Sequence, residues 1–307
     1  MRLGFALPQI GSAAGPDALI TVAQRAETLG FDSLWVLDRT LYPVHSRAPY
    51  PVGDGTLPVK YKNVLDPLET LTFAAAHTRR VALGTSVLNL PWYNPVLLAR
   101  QLTTVDVLSG GRLRVGFGMG WSPDEYEAAG TPWQDRGKRA DELIAALKTI
   151  WTTNPVKFQG QYYRIPTSFI GPKPVQKPHP PIYMAAFTPP AMQRVAREAD
   201  GWFPVLIPIG GLAQMFEGIQ RMAQEAGRDP AALELIVRAN VEISDAALGK
   251  DRSDFTGTLE QIADDVVATR QLGASELLFD VQWSPGVEAV DDIVARMEQL
   301  RQVARQS

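Results

Sequence analysis

Polar, aromatic and glycine residues recur at the ends of short apolar runs along this chain. Asp38 and Arg39 close one such run, Ser86, Val87 and Asn89 another, and Gly118, Gly120 and Trp121 a third. Ala185, Ala186, Phe187 and Thr188 end a fourth; Asn240, and then Asp280 with Gln282, end two more. The set is poor in acids and bases. It contains neither a Ser/His/Asp arrangement nor a carboxylate cluster, so a bound cofactor is expected to carry the reaction. The three histidines (His45, His77 and His179) share no metal-ligand spacing, and the chain has no cysteine, which excludes thiolate catalysis, disulfides and Cys-ligated metals. No metal is expected.

Individual motifs carry less. Gly116-Phe117-Gly118-Met119-Gly120 resembles a nucleotide loop, but Trp121 stands where the third glycine of G-x-G-x-x-G belongs. Its glycines otherwise serve close backbone approach. Asp124 and Glu125 are either a general-acid candidate of the glycosidase kind or carboxylates at a helix start. Ala185-Ala186-Phe187-Thr188-Pro189-Pro190 places small residues before a helix N-terminus, which is either an anion site or a helix simply capped by Thr188. Asp38 beside Arg39 reads as a local ion pair or a functional acid. Trp92, Tyr93 and Trp121 are core aromatics or walls on which a planar ring could dock.

Something must hold these strand ends together. Strands are predicted at 2–7, 33–37, 81–87, 113–117, 182–185, 201–204, 235–241 and 276–281, several of them apolar on both faces as buried parallel strands are. Amphipathic helical stretches separate them, as at Leu98, Leu102 and Val105, or Ile293, Met297 and Leu300. Eight β-then-α units in 307 residues predict a (β/α)8 TIM barrel forming one domain over residues 1–307. The competing doubly wound sheet would carry a phosphate loop after its first strand, where this chain has Pro8-Gln9-Ile10-Gly11. Two insertions exceed a minimal barrel. Residues 38–66, after the second strand, lie where barrels keep their active sites and are expected to cap a pocket. Residues 154–181, before the fifth strand, contain a predicted hairpin over 156–163 and begin on the opposite face. A net charge of −3 gives no footprint for nucleic acid or anionic membrane. With no long apolar span and no recognisable leader, a cytoplasmic protein is expected.

Several segments, collinear over nearly the whole chain, resemble the luciferase-like monooxygenase family, and within it the coenzyme F420-dependent oxidoreductases. They are Gly30-Phe31-Asp32-Ser33-Leu34-Trp35-Val36-Leu37-Asp38, Val81-Ala82-Leu83-Gly84-Thr85-Ser86-Val87-Leu88 and Asn94-Pro95-Val96-Leu97-Leu98-Ala99-Arg100-Gln101. Leu108-Ser109-Gly110-Gly111-Arg112, Gly118-Met119-Gly120-Trp121 with Glu125, Tyr126 and Gly130, Ala199-Asp200-Gly201-Trp202 and Gly257-Thr258 complete the set. The resemblance implies a (β/α)8 barrel with an isoalloxazine-type ring across its mouth against the third strand, where a non-prolyl cis peptide would fall at Ser86-Val87. Asp38 would be the ring-contacting acid, with Arg39, where the family often has His, and Trp121 as its catalytic companions. Ser86, Val87, Asn89, Gly118 and Gly120 would border the ring. Ala185, Ala186, Phe187 and Thr188 would hold the cofactor phosphate. Trp92, Tyr93, Trp121 and Glu125 are assigned to the substrate pocket.

The resulting expectation is hydride transfer between F420 and a small-molecule substrate under the 38–66 lid, in a homodimer. The alternatives are an FMN-dependent monooxygenase fed by a separate reductase, a hydrolase using Asp124 or Glu125, and a flavin-binding protein without turnover.

Overall fold

In Glu276-Leu277-Leu278-Phe279-Asp280 the two faces of a strand have different tasks: Leu277 and Phe279 pack in the main apolar core, while Leu278 lies in a separate inner cluster. The computed structural model describes residues 1–306. Eight parallel strands follow this alternation: β1 (Arg2–Ala6), β2 (Ser33–Val36), β3 (Ala82–Thr85), β4 (Leu113–Gly118), β5 (Ile182–Met184), β6 (Gly201–Trp202), β7 (Glu234–Asn240) and β8 (Glu276–Asp280). Each pairs with the next, and β1 with β8 closes the ring, for example through Leu3 opposite Leu277. The sheet is the closed (β/α)8 barrel that the sequence predicts, not the doubly wound alternative.

The strands are joined by α1 (Pro16–Leu29), α2 (Pro67–His77), α3 (Pro95–Ser109), α4 (Pro123–Ala128), α5 (Arg136–Thr152), α6 (Pro189–Glu198), α7 (Ile209–Glu225), α8 (Leu259–Gln271) and α9 (Val290–Gln306). No helix among the described residues is long and apolar enough to cross a membrane. Trp35 of β2 fills the lumen, edge-on to Phe203 at 5.0 Å and to Tyr183 at 6.4 Å. Gly84 makes the room: a Cβ there would lie 2.2 Å from Trp35 Cε3. The lumen is thus a packed plug, and only its upper rim can serve as a site.

The two insertions fare differently. Residues 38–66 leave β2 at the mouth and end where Asp66 caps α2, its Oδ1 accepting from the N–H groups of Leu68 (2.8 Å) and Glu69 (3.3 Å). The 154–181 insertion is anchored at the opposite end through residues 175 and 176. Val175 N–H donates to Asp106 of α3 at 2.7 Å, and the Gln176 amide donates to Leu113 O at the start of β4 at 2.7 Å. Its hairpin pairs Val156–Gln159 with Arg164–Ser168, so the second strand falls beyond the predicted 156–163. The reason lies in α5. Glu142 accepts from the N–H groups of Gln161 (2.8 Å), Tyr162 (2.8 Å) and Tyr163 (2.6 Å), folding those residues into the turn.

Candidate active site

Asp38 leaves β2 with its side chain buried. Its Oδ2 accepts from Asn89 N–H at 2.9 Å and from the Tyr93 hydroxyl at 3.0 Å, and Asn89 Nδ2 donates back to the Asp38 carbonyl at 3.1 Å. The local Asp38–Arg39 ion pair is not formed. Consecutive residues of extended chain point in opposite directions, and Arg39 turns instead to Glu125 of α4, with Nη1 3.1 Å from Oε2. Burial pushes the Asp38 carboxyl up from 3.8 to about 6, against the two hydrogen bonds that favour its anion. A raised carboxyl helps the fold only while protonated; that help is full below about pH 4 and is lost as pH rises through about 6. The stability of Asp38→Asn relative to wild type is therefore expected to improve between pH 4 and 7, measured as urea midpoints across that range; a constant difference would contradict the assignment.

At the end of β3, Ser86-Val87 is a non-prolyl cis peptide, at the bond the resemblance implied. Val87 packs on the inner cluster of Trp35, Tyr183 and Phe203. Gly118 ends β4 so close that a Cβ on it would lie 2.4 Å from Val87 Cγ2 and 4.0 Å from Ala185 Cβ. Val87, with Gly118 and Ala185 packed against it, forms an apolar floor next in the chain to Ser86 and close to Asn89, the residue that holds Asp38.

A further residue comes from β7, where sequence reasoning passed over it. Arg238 Nη1 donates to Ser86 O at 3.0 Å and Ser86 Oγ at 2.7 Å, Nε donates to Asn240 at 3.1 Å, and Nη2 pairs with Asp280. Asp280 also accepts from the Gln282 N–H at 3.0 Å and from Trp283 Nε1 at 3.2 Å. One signal was legible: a lone charge within the apolar run 235–241.

Other expected residues separate into groups. Tyr93 belongs to the Asp38 cradle. Trp92 Nε1 is buried without an acceptor, and its ring packs edge-on to Tyr126 at 6.3 Å. Trp121 packs on the 38–66 segment, its ring centroid 5.5 Å from that of Tyr50. Glu125 is fully buried and engaged: Oε1 accepts from Thr40 N–H at 2.9 Å and from the Thr40 hydroxyl at 3.2 Å. Asp124 pairs with Arg47 at 2.8 Å. Neither carboxylate is left free for the general-acid role. Thr188 occupies the N-cap position of α6 but makes no capping bond with its side chain, so simple capping is not its task. Pro189 and Pro190 have no N–H, which leaves fewer amide donors there than a helix start usually offers. Phe187 and Thr188 are exposed, while Ala186 is buried and accepts from Trp202 Nε1 at 3.0 Å.

The 38–66 segment is clasped at two places. Arg47 reaches Asp124, Glu127 (2.6 Å) and Pro123 O (2.9 Å) on one side, and Lys60 Nζ donates to Gln282 O (2.5 Å) and Val287 O (3.1 Å) on the other. The Arg47 clasp is solvent-exposed, so Arg47→Ala is expected to change global stability by less than about 1 kcal/mol. It should nevertheless speed limited proteolysis within 38–66; an unchanged cleavage rate would show that the clasp does not hold this segment.

Residues 1–252 match the sequence profile of luciferase-like monooxygenase. The chain is 32% identical over 281 residues to the uncharacterised protein Rv0953c of Mycobacterium tuberculosis, covering 91% of this chain and 90% of that one. It is 33% identical over 192 residues to the F420-dependent glucose-6-phosphate dehydrogenase of Amycolatopsis mediterranei, covering 61% and 53%. Similarity to the FMNH2-dependent dimethylsulfone monooxygenase of Pseudomonas putida is 34% over 155 residues, covering 50% and 42%. Among solved structures, the monooxygenase RslO1 of Streptomyces bottropensis matches the fold with a TM-score of 0.81 at 20% identity, covering 100% of this chain and 99% of that one.

Proposed function

Because the chain belongs to the luciferase-like monooxygenase family, we propose that it is an oxidoreductase with coenzyme F420 held across the barrel mouth. The deazaflavin, when bound, supplies two-electron hydride chemistry toward a small organic substrate. One observation carries the reading: the apolar floor of Val87, Gly118 and Ala185 lies beside a buried, protonatable Asp38. A Cβ at Gly118 would crowd Val87, so Val87 can lie against the end of β4 only because that position is glycine.

The protein's own contributions follow from this geometry. Val87 and Gly118 give the ring an apolar surface to stack on. Asp38, fixed by Asn89 and Tyr93, holds a proton or a negative charge at the ring's edge. Arg238 fixes the Ser86 side of the floor. Ala186, Phe187 and Thr188 offer amide groups and a hydroxyl to a terminal phosphate. The lid excludes water from the reacting face.

FMN-dependent monooxygenation is the second reading, favoured by the likeness to the dimethylsulfone monooxygenase; it adds a separate reductase as a partner. The F420-dependent relative matches over the longer stretch, 192 residues against 155, and F420 is preferred on that ground and on the segments quoted above. The assembly is proposed to be a homodimer. Titrating the apo-protein separately with F420 and FMN, followed by fluorescence, tests the proposal. Tight F420 and weak FMN binding is expected. The reverse preference selects the oxygen-using reading, and binding of neither overturns both.

A further inference from the structure

Arg39 is a buried cation with an unused recognition surface. Its side chain is only 6% exposed. One guanidinium face lies against the Trp121 ring, 4.8 Å from its centroid, and the Tyr61 ring lies 5.0 Å away. Nη1 is 3.1 Å from Glu125 Oε2, an ion contact without hydrogen-bond alignment. Nε and Nη2 are buried and have no acceptor. In a planar guanidinium Nε–H and the adjacent Nη2–H point the same way and form the side-on fork that matches the two oxygens of a carboxylate. An arginine cannot relieve its burial by losing a proton, so two idle donors on it are a large unmet demand. Around it Tyr50, Tyr61, Trp121 and Trp283 pack edge-on against one another, with ring centroids 5.2–6.0 Å apart, and two of these rings, Tyr50 and Tyr61, belong to the 38–66 segment.

We infer that the Nε/Nη2 fork of Arg39 receives the carboxylate of an apolar or aromatic carboxylic acid, the class of substrate that this enzyme takes. Glu125, itself held by Thr40, keeps the guanidinium in place from the Nη1 side, and the rings flank the body of the ligand once the 38–66 segment has moved. Entry is by displacement of the 38–66 lid, whose Arg47 clasp is exposed. The inference rests on the reading that substrate docks beneath this lid, above the cofactor ring.

The test uses benzoate and its neutral isostere benzamide as probes of the full-length protein, with and without F420, followed by calorimetry and tryptophan fluorescence. Benzoate is expected to bind about tenfold or more tightly than benzamide, the effect of a charge-assisted hydrogen bond. Arg39→Lys keeps a cation beside Glu125 but has no fork, and should weaken that preference. Arg39→Gln, without the charge, should lose it; if that variant does not fold, the lysine variant alone decides. Equal affinity for the two probes, no benzoate binding in the millimolar range, or undiminished preference in Arg39→Lys would overturn the inference. Benzoate preference in a protein that binds neither F420 nor FMN would uphold the anion site while removing the cofactor reading.

Discussion

Glu276→Gln is expected to destabilise the protein by about 3–5 kcal/mol, the range for removing one partner of a buried ion pair. Glu276 is fully buried at the lower end of the lumen. Its Oε2 accepts from Arg2 Nε at 3.2 Å and pairs with Arg114, while Oε1 accepts from Trp35 Nε1 at 2.9 Å and from the Ser33 hydroxyl. Four donors converge on one carboxylate. An amide has one oxygen and brings two hydrogens of its own, so one pair of donors must then face another donor. Arg114 loses its ion-pair partner in the lumen. Against a total stability of about 5–15 kcal/mol for a typical domain, this is a large fraction. Urea unfolding of the apo-protein measures it, and a change below about 1 kcal/mol would mean that the network relaxes around the amide. In the molecules that remain folded, F420 affinity should be unchanged, because this end of a barrel contributes to stability and not to the site.

Gly118→Ala should do the opposite, with a modest cost in folding and a severe one in ring binding. The added Cβ would meet Val87 Cγ2 at 2.4 Å, and something must move. Valine is stiff at χ1, and Val87 is backed by the packed inner cluster, so the floor rises toward the ring. Overpacking of this kind costs about 1–3 kcal/mol in stability. A ring displaced from its stacking surface is expected to bind at least about tenfold more weakly, a loss of about 1.4 kcal/mol or more. Titration with F420 or FMN, whichever the wild type binds, checks it. An affinity equal to wild type would show that the ring does not lie over Gly118.

Much of the architecture was legible in the residues. All eight strands fall where short apolar runs predict them, because strand and helix periodicity and Gly/Pro punctuation are local properties of the chain. The hairpin boundary was not legible, because its turn is set by Glu142 on a helix about twenty residues earlier in sequence. The family resemblance located the cis peptide at Ser86-Val87; composition and spacing carry no signal for it.

The site was legible as a set of positions and not as a set of contacts. Strand ends named Asp38, Asn89, Gly118 and Ala185 because a closed barrel brings the C-terminal ends of its strands to one face. Arg39 looked like a partner for Asp38 because the two are neighbours in sequence. In the barrel its counter-ion is Glu125, and Asp38 instead takes Asn89 and Tyr93. Arg238 meets Ser86 across 152 residues. The sequence by itself determined the elements, their order and the face on which chemistry gathers, because each follows from spacing within a few residues. Only the tertiary structure decided which charges pair and which donors stay idle, because side-chain direction at the mouth depends on the register at which eight separate strands close their ring.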